Sequence, residues 1–355
     1  MLKITFAHCG EYYYQIYYLI KNLTNAKIII PPITSKKTIE LGNKYSPDLI
    51  CLPFKYNLGN FIEALENGAN VIIHAGGGCK YGYYPEVQEQ ILKDLGYNFK
   101  FYNLISEHTF SIKKVYLIFK ELNPKLKITH FIKTLIYSFS LMKKIDKIDD
   151  YIRLNKSKTK EKEKITIIRN NFNNKSLKIK SLIKLQILYF KTILSLKKLK
   201  KDKNKHIKIG IIGELYTNMN KQANNNLEEK LFNLNIIIKR FTNASYLLLY
   251  KLLIEPFLLF KIRKYAKYNL GADAHDNIAR MLYLKKHKFD GVIHIKPFGC
   301  TPEIGVINIL EKVSEDINLP IMFLTQDIQD AEEGINTRIE AFNDMLIMRK
   351  EQKID

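Results

Sequence analysis

Short apolar runs alternate with longer amphipathic stretches over the first 110 residues of the chain. Continuous apolar runs are typical of strands buried on both faces, and the stretches between them repeat apolar residues at helical spacing. The pattern therefore predicts a parallel sheet built from strand–helix–strand units. The predicted strands are residues 3–7, 27–30, 49–52, 71–75 and 100–104, and the predicted helices are 12–22, 37–44, 60–67 and 86–95.

The same alternation returns at residue 206. Two stretches with this pattern predict two Rossmann-like α/β domains, over residues 1–110 and 206–355. In the second domain the predicted strands are residues 207–212, 236–239, 291–295 and 321–325, and the predicted helices are 227–234, 246–267, 273–287, 303–315 and 334–348.

Residues 111–205 hold almost all of the net charge. They contain 27 Lys and Arg against 7 Asp and Glu, which is +20 of the net charge of +22. Apolar residues recur at helical spacing in 131–144 and 177–199, so we predict a basic helical connector or insert between the two domains. Because the aromatic residues follow the helical period and form no stacking platform, we predict no nucleic-acid partner. A lysine-rich solvated face is our first interpretation, and a docking surface for an acidic partner is the second.

Cysteine usage and hydropathy indicate a cytoplasmic protein. Four cysteines among 355 residues are too few for a disulfide framework. The longest apolar stretch, residues 245–260, is interrupted by Lys251, Glu255 and Pro256 and is shorter than the roughly 20 apolar residues that span a bilayer. We therefore predict reduced thiols and no membrane-spanning segment.

All four cysteines follow predicted strands at their carboxyl ends. Cys9 follows the first strand, Cys51 ends the third, Cys79 comes after three glycines, and Cys300 lies in a loop with two prolines. Ligands of open parallel sheets bind at this edge, and helices that follow such loops direct their positive ends toward it. The spacing matches neither a CxxC zinc motif nor a ferredoxin run. The alternative is that these cysteines are small buried hydrophobic residues.

A series of motifs makes the chain similar to a known family. On these residues it resembles the 2-hydroxyacyl-CoA dehydratase D-component superfamily, and within it the CoA protein activase or activase-associated branch. The motifs are PPIT (31–34), LGNKYSP (41–47), CLPFKYNLGNF (51–61), CKYGYY (79–84), GELYT (213–217), FDGVIH (289–294), PFGCTPE (297–303) and TRIEAF (337–342).

The resemblance implies that the two domains face each other across a cleft, and that three cysteines from loops of both domains hold one [4Fe–4S] cluster there. The ligands here would be Cys51, Cys79 and Cys300. Cys9 is a candidate fourth ligand. The resemblance also implies low-potential electron handling, with electrons from a separate ATP-dependent activator of the actin/Hsp70 fold, and a CoA thioester as substrate. The chain itself contains no GxxxxGK[ST] motif. The sequence does not decide whether the protein forms a homo-oligomer or a hetero-oligomer.

The resemblance and the residues together leave three function classes open. The first is a dehydratase-like lyase or reductase component, in which an open iron site acts on a substrate. The second is an accessory electron-transfer or binding module without a substrate of its own. The third is a non-redox protein whose cysteines are structural or bind zinc.

Other polar residues near the predicted strand ends have two interpretations each. Lys55 and Lys80 either balance the charge of a cluster or lie in solvent. The histidines at strand ends are either acid–base groups or buried side chains bonded to the backbone. Glu303 either starts a helix, which we favour, or orients the cleft, and Glu214 is a further candidate for the cleft. The histidines are His8, His74 and His294.

Overall fold

The computed structural model describes residues 1–8, 10–76, 83–106, 109–202, 204–268, 270–327 and 332–352. The chain forms two compact units, Met1–Met142 and Lys143–Asp355. The boundary between the units falls within the basic segment 111–205. The division of the chain at residues 110 and 205 stays a prediction.

The first unit contains a four-stranded parallel sheet with strand order β2-β1-β3-β4, and a short antiparallel hairpin, β5-β6. Its strands are β1 (Lys3–Phe6), β2 (Lys27–Ile28), β3 (Val71–His74), β4 (Lys100–Asn103), β5 (Ile105–Ser106) and β6 (Thr109–Phe110). Its helices are α1 (Tyr13–Leu23), α2 (Lys36–Tyr45), α3 (Leu52–Glu66), α4 (Tyr84–Asp94), α5 (Ile112–Leu122) and α6 (Ile128–Asn155), of which α6 continues into the second unit.

Both faces of this sheet are buried. Ile73 packs in a cluster with residues of α1, α5 and α6, whereas Ile72 packs in a second cluster with Phe54 and Phe61 of α3. Successive residues of a strand point to opposite faces, so a strand covered on both sides needs an unbroken apolar run. This is why the run at Val71–His74 predicted the strand correctly.

The strand predicted at residues 49–52 is wrong. Leu49 is 80% exposed and has a φ of +60°, and Cys51 precedes the first residue of α3. Pro53 lies in the first turn of that helix, where its fixed φ is favourable and its missing N–H costs no hydrogen bond. The helix predicted at residues 60–67 is therefore the second half of a longer one.

Helices α2 and α3 approach each other closely through two glycines. A Cβ atom added at Gly42 would lie 1.9 Å from the carbonyl oxygen of Lys55, and one added at Gly59 would lie 2.0 Å from that of Thr38. Only glycine lets the two backbones come so near. Both glycines belong to the motifs that carried the family resemblance, and this contact fixes the position of α3, which begins after Cys51.

The second unit contains another four-stranded parallel sheet, with strand order β10-β9-β7-β8. Its strands are β7 (Lys208–Gly213), β8 (Ile237–Arg240), β9 (Gly291–Pro297) and β10 (Ile321–Gln326). Its helices are α7 (Lys162–Ser176), α8 (Leu182–Lys197), α9 (Leu215–Met219), α10 (Leu227–Asn233), α11 (Lys251–Ile262), α12 (Ala274–Lys286), α13 (Thr301–Gly305), α14 (Ile307–Ile317) and α15 (Glu332–Glu351).

This sheet is also covered on both faces. Ile293 and Ile295 of β9 pack with α10 and α15, while Val292 packs with α12 and α14. Residues 246–250 form a short π-helix that continues into α11. The four strands predicted for this part of the chain are confirmed, and so is the α/β class with two Rossmann-like parallel sheets. In the part of the chain that the structure describes, no helix is long and apolar enough to cross a bilayer.

Candidate functional site

Cys51 lies at the N-terminus of α3. Its backbone is extended, with φ −68° and ψ 154°, and it occupies the N-cap position before Leu52. The thiol is partly buried and contacts the hydroxyl of Tyr84, the first residue of α4. The positive end of a helix stabilises an anion at this position, so the location favours the thiolate form.

Cys300 has the same local structure in the second unit. It is extended, occupies the N-cap position of α13, and is followed two residues later by Pro302 in the first turn. Gly299 has a φ of +78°, and the N–H of Phe298 donates a 2.8 Å hydrogen bond to the carbonyl of Gln326. These features fix the loop after β9 and with it the partly buried thiol.

The pattern Cys-x-Pro at a helix start therefore occurs twice, as Cys51-Leu52-Pro53 and Cys300-Thr301-Pro302. The hydrophobic pattern placed both cysteines at strand ends, which is wrong for Cys51, since no strand precedes it in the described residues 45–52. The repeated Cys-x-Pro spacing is the feature of the sequence that indicates a helix-start position for both cysteines. Cys9 and Cys79, with Lys80, lie outside the described residues.

Lys296 is a buried cation on β9, four residues before Cys300. Burial lowers the pKa of its ammonium group, and Cys300 and Glu303 oppose that change. Lys55, by contrast, is hydrogen-bonded to the Asn43 side chain at 2.9 Å at the surface. Of the two described lysines near candidate thiols, Lys296 is the one that is buried beside a cysteine.

A buried hydrogen-bonded network connects α13, the helix that begins after Cys300, to the sheet. The Glu303 carboxylate of α13 lies 2.6 Å from Nε2 of His294 and accepts a 2.9 Å hydrogen bond from the side-chain amide of Asn277. Oδ1 of Asn277 in turn accepts from the N–H of Gly213 at 2.9 Å. Glu303 and His294 are both fully buried. The network thus fastens α13 to β9, α12 and β7.

These contacts correct two interpretations of the sequence. Glu303 lies in the first turn of α13, but its carboxylate bonds to β9 and α12 and does not cap its own helix. His294 bonds to this carboxylate and not to the backbone. Glu214 is a partly buried N-cap: its carboxylate accepts from the N–H groups of Tyr216 and Thr217 at the start of α9.

Burial raises the pKa of the Glu214 carboxyl to about 7. Its hydrogen bonds to Thr217 and Tyr216 oppose this increase, and the nearby Asp273 adds to it. A carboxyl group with such a pKa is present in both protonation states near neutral pH. That property is common at functional sites.

A row of charged residues along the first half of α12, from its N-cap residue Asp273 to Arg280, was not predicted. Lys251 of α11 lies 3.0 Å from Asp273 and 3.6 Å from Asp276, and Arg280 lies 3.4 Å from Asp276. Burial works against the charged form of Lys251, yet the two carboxylates hold its pKa above the usual value. The spacing of residues 273, 276, 277 and 280 places them on one helix face, and this spacing was the signal in the sequence.

His74 ends β3 in the first unit and is almost fully buried. Its Nδ1 accepts a 2.8 Å hydrogen bond from the N–H of Gly76, and its ring centroid lies 5.8 Å from that of Phe61. Burial lowers the pKa of His74 from 6.5 to about 4, against an opposing contribution of Gln88. At neutral pH His74 is therefore an uncharged side chain bonded to the backbone, which was the structural alternative for this residue.

His74 should consequently lower the stability of the protein as the pH drops from about 6.5 toward 4, whereas the raised pKa of Glu214 acts in the opposite direction over the same range. In that window the unfolded chain binds a proton at His74 and the folded chain does not, and the pKa difference corresponds to about 3 kcal/mol. Urea denaturation of the parent and of His74→Gln at pH values of about 7.5 and about 5 isolates the contribution of His74, of which about 2 kcal/mol is expected between these two pH values. His74→Gln keeps an acceptor for the N–H of Gly76 and should lose less stability than the parent between these two pH values. An equal change of stability between the two pH values in the parent and in the variant would contradict the lowered pKa of His74.

Among the described residues, no group of three or more His, Cys, Asp or Glu side chains is arranged to hold a metal ion. Cys51 and Cys300 nevertheless have donor chemistry that suits an iron–sulfur cluster, because each is a partly buried thiol at a helix N-terminus. The carboxylate and imidazole of Glu303 and His294 are already bonded to each other. The thiols, and not this network, are the groups suited to a cofactor.

Residues 262–346 match the family model of the 2-hydroxyglutaryl-CoA dehydratase, D-component. The match extends from the last residue of α11 into α15, so it includes Cys300 and the network of Asn277, His294 and Glu303. It confirms the resemblance found in the motifs at the level of the superfamily. No curated protein matches the chain.

Proposed function

We propose that this chain, whose residues 262–346 match the 2-hydroxyglutaryl-CoA dehydratase D-component, is a member of that superfamily, holds one [4Fe–4S] cluster on Cys51, Cys79 and Cys300, and handles low-potential electrons. The observation that carries the proposal is the common setting of Cys51 and Cys300. Both are partly buried N-cap residues followed by a proline two positions later. A thiolate gains from a helix N-terminus and is the ligand that holds such clusters.

When bound by three thiolates, such a cluster supplies one-electron chemistry and an iron with an open coordination position. The residues of the chain prepare the thiolates for this role. The Tyr84 hydroxyl contacts the Cys51 sulfur and is suited to donate a hydrogen bond to it in its anionic form. Lys296 places a positive charge near Cys300, which opposes the negative charge of a thiolate-bound group.

The neighbouring structure holds Cys300 in one place. Pro302 fixes the first turn of α13, the bond from Phe298 to Gln326 fixes the loop before it, and Glu303 fastens the helix from within. A ligand held by this many contacts loses little conformational freedom when it binds a metal. The geometry around Cys300 thus supports a preorganised ligand.

The proposal extends to partners that the family suggests. We infer that a separate ATP-dependent activator supplies the electron, that the chain acts in the CoA-linked dehydratase system of the activase or activase-associated branch, and that a CoA thioester is the substrate. Reduced cysteines and a cytoplasmic setting agree with this chemistry. Such a cluster with an open iron position requires handling without oxygen.

The first experiment is a determination of iron and acid-labile sulfide per chain, with a visible spectrum, on full-length protein purified without oxygen. About four of each and a broad brown absorbance are expected, because that is the composition of a cubane cluster. A colourless protein that stays folded and free of iron after attempted reconstitution would overturn the proposal. One zinc ion per chain in place of iron would do the same and would favour the non-redox alternative.

A spectroscopic titration then separates an enzyme component from an electron carrier. If three thiolates hold the cluster, added cyanide should bind the open iron and change the electron paramagnetic resonance spectrum of the reduced protein. A spectrum that does not respond to cyanide indicates a closed cluster, with Cys9 as the fourth ligand. That result would leave electron transfer alone as the function.

A further inference from the structure

Helix α8 is apolar on two opposite sides. Leu185, Thr192 and Leu196 are buried, and α8 packs against α7. The other side is exposed and carries Ile183, Ile187, Phe190 and Leu194, which are 73%, 49%, 55% and 56% accessible. A helix with two apolar sides needs a neighbour on each, since isolated apolar residues are common at surfaces but a continuous row is not.

The exposed row has the spacing of a coiled-coil seam. The intervals between Ile183, Ile187, Phe190 and Leu194 are four, three and four residues, which places them at successive d, a, d and a positions of a heptad. Three exposed lysines follow at the e positions, namely Lys184, Lys191 and Lys198. We call these seven residues the α8 seam. A seam of this form packs against one face of another helix.

The charge beside the seam is of one sign and lies on one side. From Lys164 to Lys201 the chain contains no Asp or Glu. The opposite flank, the g positions, carries Gln186 and Ile193. Charges at e and g positions select the partner of a coiled coil, so a row of lysines selects carboxylates.

We propose that the α8 seam docks an amphipathic helix of a second protein, with apolar residues along its contact face and Asp or Glu beside them. A second copy of this chain fits less well. In an antiparallel pair the two lysine rows would face each other, and in a parallel pair they would face the uncharged Gln186 and Ile193. An anionic membrane also fits less well, because a helix lying in the interface carries cations on both flanks of its apolar face. Docking at this seam does not depend on the cluster.

Two synthetic helical peptides test the proposal. Both have four heptads with Leu at a and d, and they differ only in carrying Glu or Lys at all e and g positions. Fluorescence anisotropy with the full-length protein should show the acidic peptide binding at least about tenfold more tightly than the basic one, with an affinity that falls as salt rises. Phe190→Gln should weaken the acidic peptide by about tenfold, because Phe190 is a central apolar contact.

Charge reversal provides the matched control. Lys184→Glu/Lys191→Glu should reverse the preference between the two peptides, whereas Lys175→Glu/Lys178→Glu, which changes the net charge equally outside α8, should not. Circular dichroism and thermal unfolding verify that each variant is folded. Because all five substituted side chains are exposed, folding should be unchanged.

Three results would overturn the proposal. The first is equal binding of the two peptides, or an equal effect of the two double variants. The second is self-association in sedimentation experiments that Phe190→Gln abolishes, which would make a second copy the occupant. The third is binding to phosphatidylcholine vesicles containing phosphatidylglycerol with no binding of either peptide, which would make a lipid surface the occupant.

Discussion

Cys79→Ser is expected to abolish assembly of the cluster, lowering iron and sulfide from about four of each per chain to well under one. A serine hydroxyl stays protonated at neutral pH and is a poor ligand for iron, and two remaining thiolates do not hold a cubane. Iron and sulfide analysis after anaerobic reconstitution measures the loss, together with the visible absorbance. Cys9→Ser is the matched control and should keep the iron content of the parent.

Equal iron in Cys79→Ser and the parent would contradict the ligand assignment. Loss of iron in Cys9→Ser as well would show that Cys9 is also a ligand. The same experiment with Cys51→Ser and Cys300→Ser should give the same loss as Cys79→Ser. All four variants exchange sulfur for oxygen, so a difference between them reports on position and not on the substitution itself.

Two of these variants exclude misfolding as the cause of the loss. Cys51 and Cys300 are N-cap residues whose side chains make no capping hydrogen bond to their own helices. Serine is among the preferred N-cap residues, and its hydroxyl accepts a bond from the helix N–H groups. The iron-free forms of Cys51→Ser and Cys300→Ser should therefore unfold at temperatures equal to or above that of the iron-free parent, although they bind no cluster.

The sheets were predictable from the sequence because strands buried on both faces need unbroken apolar runs. Val71–His74 is apolar up to its last residue, Gly291–Pro297 is largely apolar apart from His294 and Lys296, and both are central strands. The same rule failed at residues 49–52, where the apolar run leads into Pro53 and a helix. Periodicity does not distinguish a short strand from the approach to a helix, whereas a proline directly after such a run favours the helix start.

The candidate site was predictable only in part. The motifs identified the cysteines, but the direction of a side chain depends on tertiary packing that spacing does not encode. Glu303 illustrates this: a carboxylate in a first helical turn is usually a favourable charge at the helix end, and here it is buried between His294 and Asn277. The helical spacing of Asp276 and Arg280 on α12 was visible in the sequence, but the sequence alone did not show which side chains of other elements they contact.

Glu303→Ala is expected to lower the free energy of unfolding by about 3 kcal/mol, because it leaves Nε2 of His294 and the amide of Asn277 buried without their acceptor. Urea denaturation of the iron-free protein measures the change. Glu303→Gln keeps an acceptor for Asn277 and should lose about half as much. Glu311→Ala, an exposed glutamate on the next helix, should change stability by less than about 0.5 kcal/mol.

The same variants distinguish a fastened helix from a simple helix-end charge. If Glu303 acted only through the dipole of α13, alanine and glutamine would cost the same, since both remove the charge, and the cost would stay below about 1 kcal/mol. If Glu303 fastens α13 to β9 and α12, glutamine restores part of the loss. Because Cys300 begins that helix, Glu303→Ala should also release iron to a chelator faster than Glu303→Gln does, which links the buried network to the stability of the cluster.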